Sequence, residues 1–384
     1  MTHPQAPRLL DPVALRGGVV LRNRIVMAPM TRSRAEEPGD LPSVMAPNYY
    51  QQRASAGLVV TEGTVISHLG KGYSLTPGIY SSEQVKRWSA VSEAVHRVEG
   101  SRIFMQLWHV GRISNDQIAG GRPIAPSAIA SPTAQVWFQR ADGWQGNIPC
   151  SPPREMSRAD IAEVVTQYQE AARRALDSGM DGVEIHAANG YLIDQFLRST
   201  TNRRSDAYGG GVAGRIRFLR EVVEAVVSVA GPARVGVRLS PDVDYGDTLD
   251  PEILDTTLRV VEDLEAQRVA YVHLVESNNA NYLGASSSPT PLVDSAFKAG
   301  IRRVFHGSVI LAHAYDAERA SLALAGGEAD AVAFGRPFIA NPDLVARISE
   351  GLAIAPSDRS TWYGGDHVGY TDYPLLGSTS TVGK

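Results

Sequence analysis

The sequence predicts an α/β fold, a single (β/α)8 TIM barrel, and three observations carry that expectation. Short β-rich runs recur eight times along the chain, helical patterns separate them, and no break divides them into two groups. Alternating strands and helices argue for a parallel sheet wound with helices, and eight strands are what a closed barrel needs. An open doubly wound sheet is the alternative, but it rarely uses eight evenly recurring units. Barrels commonly span roughly 200 to 400 residues, so residues 1–384 are expected to form one domain.

Taken in order, the first element is a hairpin. Gly17-Gly18 stands between Val13–Leu15 and Val19–Leu21, which would close the barrel floor. The eight strands are expected at residues 24–29, 57–62, 101–108, 181–186, 234–239, 270–275, 303–311 and 330–334. Ser157 with Asp160 three residues later forms a capping-box pattern. Ile161, Val164, Val165, Tyr168, Ala172 and Ala175 then follow at helical spacing as one apolar stripe. Ile216, Leu219, Val223 and Val226 repeat that pattern after strand four. Asp250-Pro251 opens a further helix, with the proline where a missing N–H costs nothing, and Leu254, Leu258 and Val261 are its expected buried face. Residues 110–153 fit no β/α unit. They are rich in Gly, Pro and Ser and carry Trp137, Phe138 and Trp144, and an excursion that long is expected to cap the active site.

Composition removes several classes of function. Thirty-seven basic and 41 acidic residues leave a net charge of −4 with neither sign gathered in a block, so neither nucleic acid nor an anionic membrane is indicated. The single cysteine, Cys150, cannot form an intrachain disulfide or supply the thiolates of an iron–sulfur cluster. The N-terminus has no apolar leader core, and nowhere do 18 uncharged apolar residues run together, so a cytoplasmic location is expected.

Barrel active sites lie at the C-terminal ends of the strands. There the sequence offers Pro29, Met30 and Thr31 after strand one, Gly63 after strand two, Gln106 and Trp108 on strand three, and His186 on strand four, followed by Asn189 and Tyr191. Arg238 ends strand five, and Gly335-Arg336 end strand eight. Two arginines and late glycines suit a phosphate. The lysines lie off the strands, which removes Schiff-base chemistry. His109, His186, His273 and His306 fall near strand ends, but without the carboxylates a metal site would want. Singly, His186 and Tyr191 have ordinary structural readings, and Arg238 and Arg336 could be ion-paired scaffold. Together these groups look like a cradle for a phosphorylated cofactor that brings its own chemistry.

Read in order, the motifs resemble the old yellow enzyme family across nearly the whole chain. The carriers are residues 23–31 (NRIVMAPMT), 106–112 (QLWHVGR), 181–186 (DGVEIH), 201–210 (TNRRSDAYGG), 334–343 (FGRPFIANPD) and 370–374 (YTDYP). The resemblance implies bound FMN, NADPH or NADH as hydride donor, and an activated alkene as substrate. It also implies that Thr31 sits at the flavin N5/O4 edge, Gln106 at the pyrimidine edge, Arg238 beside N1 and O2, and Arg336 on the phosphate. Pro29, Met30, Gly63, Gly335, His313 and Ala314 match further cofactor contacts. His186 and Asn189 match the pair that binds the substrate oxygen, and Tyr191 matches the proton donor. Tyr73, Trp108 and Tyr363 match the substrate walls. A tyrosine, ionising at about pH 10, stays protonated at neutrality and can supply that proton.

Two departures stand out. His313 occupies a position where the family commonly has glycine, which puts the approach of backbone N–H groups to the phosphate in doubt. Residues 209–214 (GGGVAG) are looser than the usual loop. The family's relatives occur as monomers and larger assemblies, which leaves a homodimer open. Two rivals also stay open: a metal-dependent hydrolase using His109, His186 and His273, and a flavoprotein without catalysis.

Overall fold

A period of two in the strands decides the architecture: alternate side chains turn to a shared interior and to a ring of helices. The computed structural model describes residues 8–246, 248–276 and 293–376. Its barrel strands are β1 (Ile25–Met27), β2 (Leu58–Val60), β3 (Ile103–Trp108), β4 (Gly182–His186), β5 (Val235–Leu239), β6 (Tyr271–Val275), β7 (Ser308–Ala312) and β8 (Ala331–Phe334). Each pairs in parallel with its sequence neighbours, and β8 returns to β1 through Phe334 opposite Met27, so the sheet closes on itself. Residues 1–7, where an apolar leader core was found wanting, lie outside the described residues, as does Lys384.

The interior is apolar at its floor. Leu15 and Leu21 of the N-terminal hairpin cluster with Val26, Leu58, Phe104, Tyr271 and Ile310. That hairpin pairs Val13–Ala14 antiparallel with Val20–Leu21. Its turn places Gly17 at φ 90° and Gly18 at φ 97°, where a side chain is rarely tolerated. Outward-facing residues such as Met27, Val59, Met105, Ile185, Val237 and Leu274 join the larger core beneath the helices. Gly182 and Gly236 leave the interior room it needs. A Cβ on them would lie 2.5 Å from the Phe104 ring and 2.1 Å from the Tyr271 ring.

Among the described residues the helices that wind the barrel are α1 (Ala46–Gln52), α2 (Ser82–His96), α3 (Arg158–Asp177), α4 (Arg217–Ala230), α5 (Ile253–Ala266), α6 (Ser295–Val304), α7 (Ala317–Ala325) and α8 (Leu344–Glu350), with shorter helical turns in the loops. The Ser157 hydroxyl accepts the Asp160 N–H at 3.1 Å, and the Asp160 carboxylate accepts the Ser157 N–H at 2.7 Å, completing the capping box of α3. The α3 stripe is buried except for Val165, which is half-buried, and all four residues of the α4 stripe are buried. Among the described residues no helix is long and apolar enough to cross a membrane.

Two elements correct the sequence reading. The seventh strand was expected from residue 303, but α6 continues through Val304 and pairing begins at Ser308. Arg302 and Arg303 belong to the last helical turn, where cations suit the helix dipole. Pro251 lies in the turn before α5, which starts at Ile253. Its buried face is Ile253, Thr256, Thr257, Val260, Val261 and Leu264, while Leu254 and Leu258 are only half-buried. That face centres on Ile253, Thr257, Val260 and Leu264, which leaves the two leucines at its edge.

Residues 110–153 contain a short helix, Asp116–Ala119, and an antiparallel hairpin of Gln135–Gln139 with Gln145–Pro149. Val136 of that hairpin packs with Trp108, Val275 and Tyr245, over the C-terminal ends of β3 and β6.

Candidate functional site

A cavity of about 410 Å³ opens at the C-terminal end of the barrel. The end of β1 lends it Pro29, Met30 and Thr31; Gly63 comes from just after β2, and Gln106 and Trp108 from β3. His186 comes from β4, Arg238 from β5, His313 and Ala314 from the residues after β7, and Gly335 and Arg336 from those after β8. Asn189, Tyr191 and Tyr363 complete the set of sequence-selected residues in the wall. Tyr73 is not in the wall. It packs behind it, with its ring stacked on Trp108 at 5.7 Å and its hydroxyl 3.1 Å from that of Tyr191.

The turn after β4 is held by a buried ion pair. Asn189 (φ 59°) and Gly190 (φ 74°) are both left-handed, a conformation that asparagine and glycine tolerate best. Asp194 accepts the Gly190 N–H at 2.7 Å, and Arg198, one helical turn on, bridges Asp194 at 2.9 Å with both side chains buried. Arg198 also donates to the Ser240 carbonyl at 2.9 Å, and the Ser240 hydroxyl accepts the Asn189 N–H at 2.6 Å. Tyr191 follows as the residue preceding the helix Leu192–Leu197. Its ring meets Trp108 and His186 edge-on at 5.0 and 5.1 Å. Its position is therefore fixed from three sides.

A polar layer crosses the barrel under the cavity. His186, Arg238 and His273 are register partners on β4, β5 and β6. Burial, together with the Arg238 and His273 charges, pushes His186 well below the ordinary imidazole range, so it is a neutral ring at physiological pH. His186 Nδ1 and Trp108 Nε1 are buried and find no hydrogen-bond partner in the described protein. Both rings line the cavity, so a bound molecule is what can satisfy them.

Three comparisons bear on this geometry. The sequence profile of the NADH:flavin oxidoreductase / NADH oxidase family matches residues 8–354. The chain belongs to the old yellow enzyme family. It is 41% identical over 369 residues to 12-oxophytodienoate reductase 7 of Oryza sativa subsp. japonica, covering 93% of this chain and 92% of that protein. Morphinone reductase superposes with a TM-score of 0.91 at 44% identity, over 98% of each chain. A second structure of that enzyme, in complex with tetrahydroNAD, superposes at 0.89 with the same identity, over 96% of this chain and 98% of that one. The old yellow enzyme homologue from Zymomonas mobilis superposes at 0.89 with 40% identity, over 96% of this chain and 100% of that one. As a member of this family the chain is an oxidoreductase that works with a flavin and a nicotinamide donor.

The cavity of this old yellow enzyme relative fits a flavin nucleotide. It offers an amide (Gln106), a hydroxyl (Thr31) and two guanidiniums (Arg238, Arg336), with unsatisfied His186 and Trp108 nitrogens beside them. Gly63 lets Trp108 lie close, since a Cβ there would stand 2.5 Å from the indole. The His313 departure has a backbone cost: His313 adopts φ 144° and Ala314 φ 47°, conformations that favour glycine. The Arg319 guanidinium steadies the bend by donating to the His313 carbonyl at 2.7 Å.

Sequence reading overlooked several groups here. Val243, Val275, Tyr315 and Asp316 also line the cavity, and Tyr245 bonds Tyr73 at 3.2 Å from beyond it. None carries a local motif, so only the fold brings them in. The histidines of the metal alternative do not converge. Of His109, His186 and His273, His109 accepts the Gly111 N–H at 3.1 Å, His273 bonds Glu184, and His186 alone lines the cavity. Among the described residues no group of three or more His, Cys, Asp or Glu side chains could hold a metal ion.

Proposed function

We propose that this chain is an FMN-dependent ene-reductase that takes hydride from NADPH or NADH and reduces the C=C bond of α,β-unsaturated carbonyls and nitroalkenes. The observation that carries the reading is that His186, Asn189 and Tyr191 share one cavity wall with Gln106 and Arg238. The whole chain would act as one unit, with residues 110–153 as its cap. Bound FMN supplies the relay of hydride between nicotinamide and alkene. Thr31, Gln106, Arg238 and Arg336 would hold it, with Pro29, Met30, Gly63, Gly335, His313 and Ala314 shaping the cradle.

The protein's own part is electrostatic and acid–base. Hydride arriving at the β-carbon moves charge onto the substrate's carbonyl or nitro oxygen. His186, held neutral by burial, and the Asn189 amide can each donate one hydrogen bond to that oxygen. A donor aimed at developing charge contributes about 3 kcal/mol of transition-state stabilisation. Tyr191 delivers the proton to the α-carbon, and the Trp108 and His186 rings set its angle. Tyr363 would shape the substrate end, with Tyr73 bracing Trp108 and Tyr191 from behind.

Product analysis tests this. The protein is incubated with FMN, 2-cyclohexenone and a nicotinamide dideuterated at C4. Cyclohexanone carrying deuterium at the β-carbon is expected, and unchanged enone from flavin-loaded protein would overturn the reading.

A further inference from the structure

Glu184 stands inside the barrel with its side chain fully buried, and it does not line the cavity. A carboxylate sealed from water is costly unless its oxygens are satisfied. Here one oxygen accepts the Gln106 side-chain N–H at 2.8 Å. The other accepts His273 Nδ1 at 2.8 Å and the Tyr271 hydroxyl at 3.1 Å. Burial alone would raise the Glu184 carboxyl, but His273, Arg238 and Gln106 together hold it below the ordinary carboxylate value. It is an anion at neutral pH.

An ionised carboxylate can only accept, and that fixes the groups around it. Gln106 must give its N–H to Glu184, which leaves the amide oxygen for the cavity side. The partner facing Gln106 in the ladder is Glu184 itself, so this pairing is set by register and not by a mobile side chain. Arg238, on the neighbouring strand, is coupled to the same charge.

We propose that Glu184 is a positioning residue for the flavin, fixing Gln106 so that an acceptor meets the pyrimidine N–H and setting a permanent negative charge against Arg238. This rests on the FMN reading above. The charge opposes electron uptake by the cofactor, so it holds the reduction potential down while the amide holds the ring in place.

The test compares wild type with E184Q, loaded with FMN, by spectroelectrochemical titration. E184Q keeps the shape and removes the charge. The ratio of affinities for reduced over oxidised FMN should rise at least tenfold, equivalent to an upward shift of about 30 mV for a two-electron couple. An unchanged potential in folded, flavin-loaded E184Q overturns the proposal. Should E184Q fail to fold, Tyr271→Phe removes one donor and keeps the carboxylate. Gln106 and His273 then remain as its hydrogen-bond partners. With one donor fewer the negative charge is less screened, so the potential should fall below that of wild type. A potential equal to or above that of wild type overturns the proposal. Wild type that binds no FMN sinks the FMN reading instead, so the two failures are distinct.

Discussion

The hydroxyls of Tyr73 and Tyr191 lie 3.1 Å apart although 118 residues separate them in the chain. Tyr73 also meets Tyr245 at 3.2 Å, and Tyr245 donates to the Gln135 carbonyl at 2.9 Å. A carbonyl only accepts, so the proton of Tyr245 is committed there, that of Tyr73 points to Tyr245, and Tyr191 donates to Tyr73. On the proposed mechanism Tyr191 gives its proton to substrate, and Tyr73 can then turn and donate back to the oxygen left behind. The hairpin of the 110–153 excursion thus reaches the site through a chain of three hydroxyls.

Tyr191→Phe should leave reduction of the cofactor by nicotinamide intact and slow alkene reduction about 10² to 10⁴-fold, the usual range for a lost general acid. Stopped-flow measurement of the two half-reactions separates them. Equal loss in both would mean that Tyr191 only supports the fold. Tyr73→Phe should slow the alkene half-reaction alone, by about fivefold, the worth of one ordinary hydrogen bond.

The Asp194–Arg198 pair should be costly to break. Asp194→Ala leaves a buried guanidinium uncompensated and frees the Gly190 N–H, which predicts a loss of about 3–5 kcal/mol in urea unfolding. A loss under 1 kcal/mol would show that the turn after β4 does not depend on it.

Glu62 predicts a pH dependence. It is buried beside Gly63, and burial pushes its carboxyl from 4.5 up to about 7, against the opposing pull of the Arg32 N–H and the Arg32 and Arg34 charges. A raised acid is protonated in the folded chain while ionised in the unfolded one, so the unfolded state binds fewer protons and stability falls as pH rises. The contribution is fully present below about 4.5 and is lost by the time pH passes about 7. Urea midpoints of wild type should fall across that window relative to Glu62→Gln. Parallel curves would contradict the assignment.

His313→Gly should stabilise the chain. Strain at such a φ costs of order 1–3 kcal/mol, and glycine's extra chain entropy returns about 0.5–1 of it. A net gain of about 1 kcal/mol in unfolding free energy is expected, and a loss would mean that His313 packing outweighs its backbone.

Much of this was legible in the sequence, for physical reasons that differ by element. The strands read clearly because both faces are buried, which leaves continuous apolar runs such as Ile103–Trp108. The cavity wall was legible where polar groups cluster locally, as in His186, Asn189 and Tyr191 after one strand. The seventh strand was misjudged because Arg303-Val304 suits a helix end as well as a strand start. Tyr73 was legible as an aromatic near the site but not as one standing behind it, since spacing gives no direction. Glu184 lies within the 181–186 motif, yet its link to Tyr271 and His273 appears only when β4 and β6 share one interior. The His313 departure was visible, and its cost became readable only as φ 144°.

The central claim is a flavin in this cavity that passes electrons from nicotinamide to an alkene. An anaerobic absorbance titration of the purified, FMN-reconstituted protein tests it most directly, with NADPH or NADH added first and 2-cyclohexenone second. Bleaching of the visible flavin band by the nicotinamide and its return with the enone is the predicted result. A protein that takes up no flavin, or whose reduced flavin the enone leaves bleached, would contradict it.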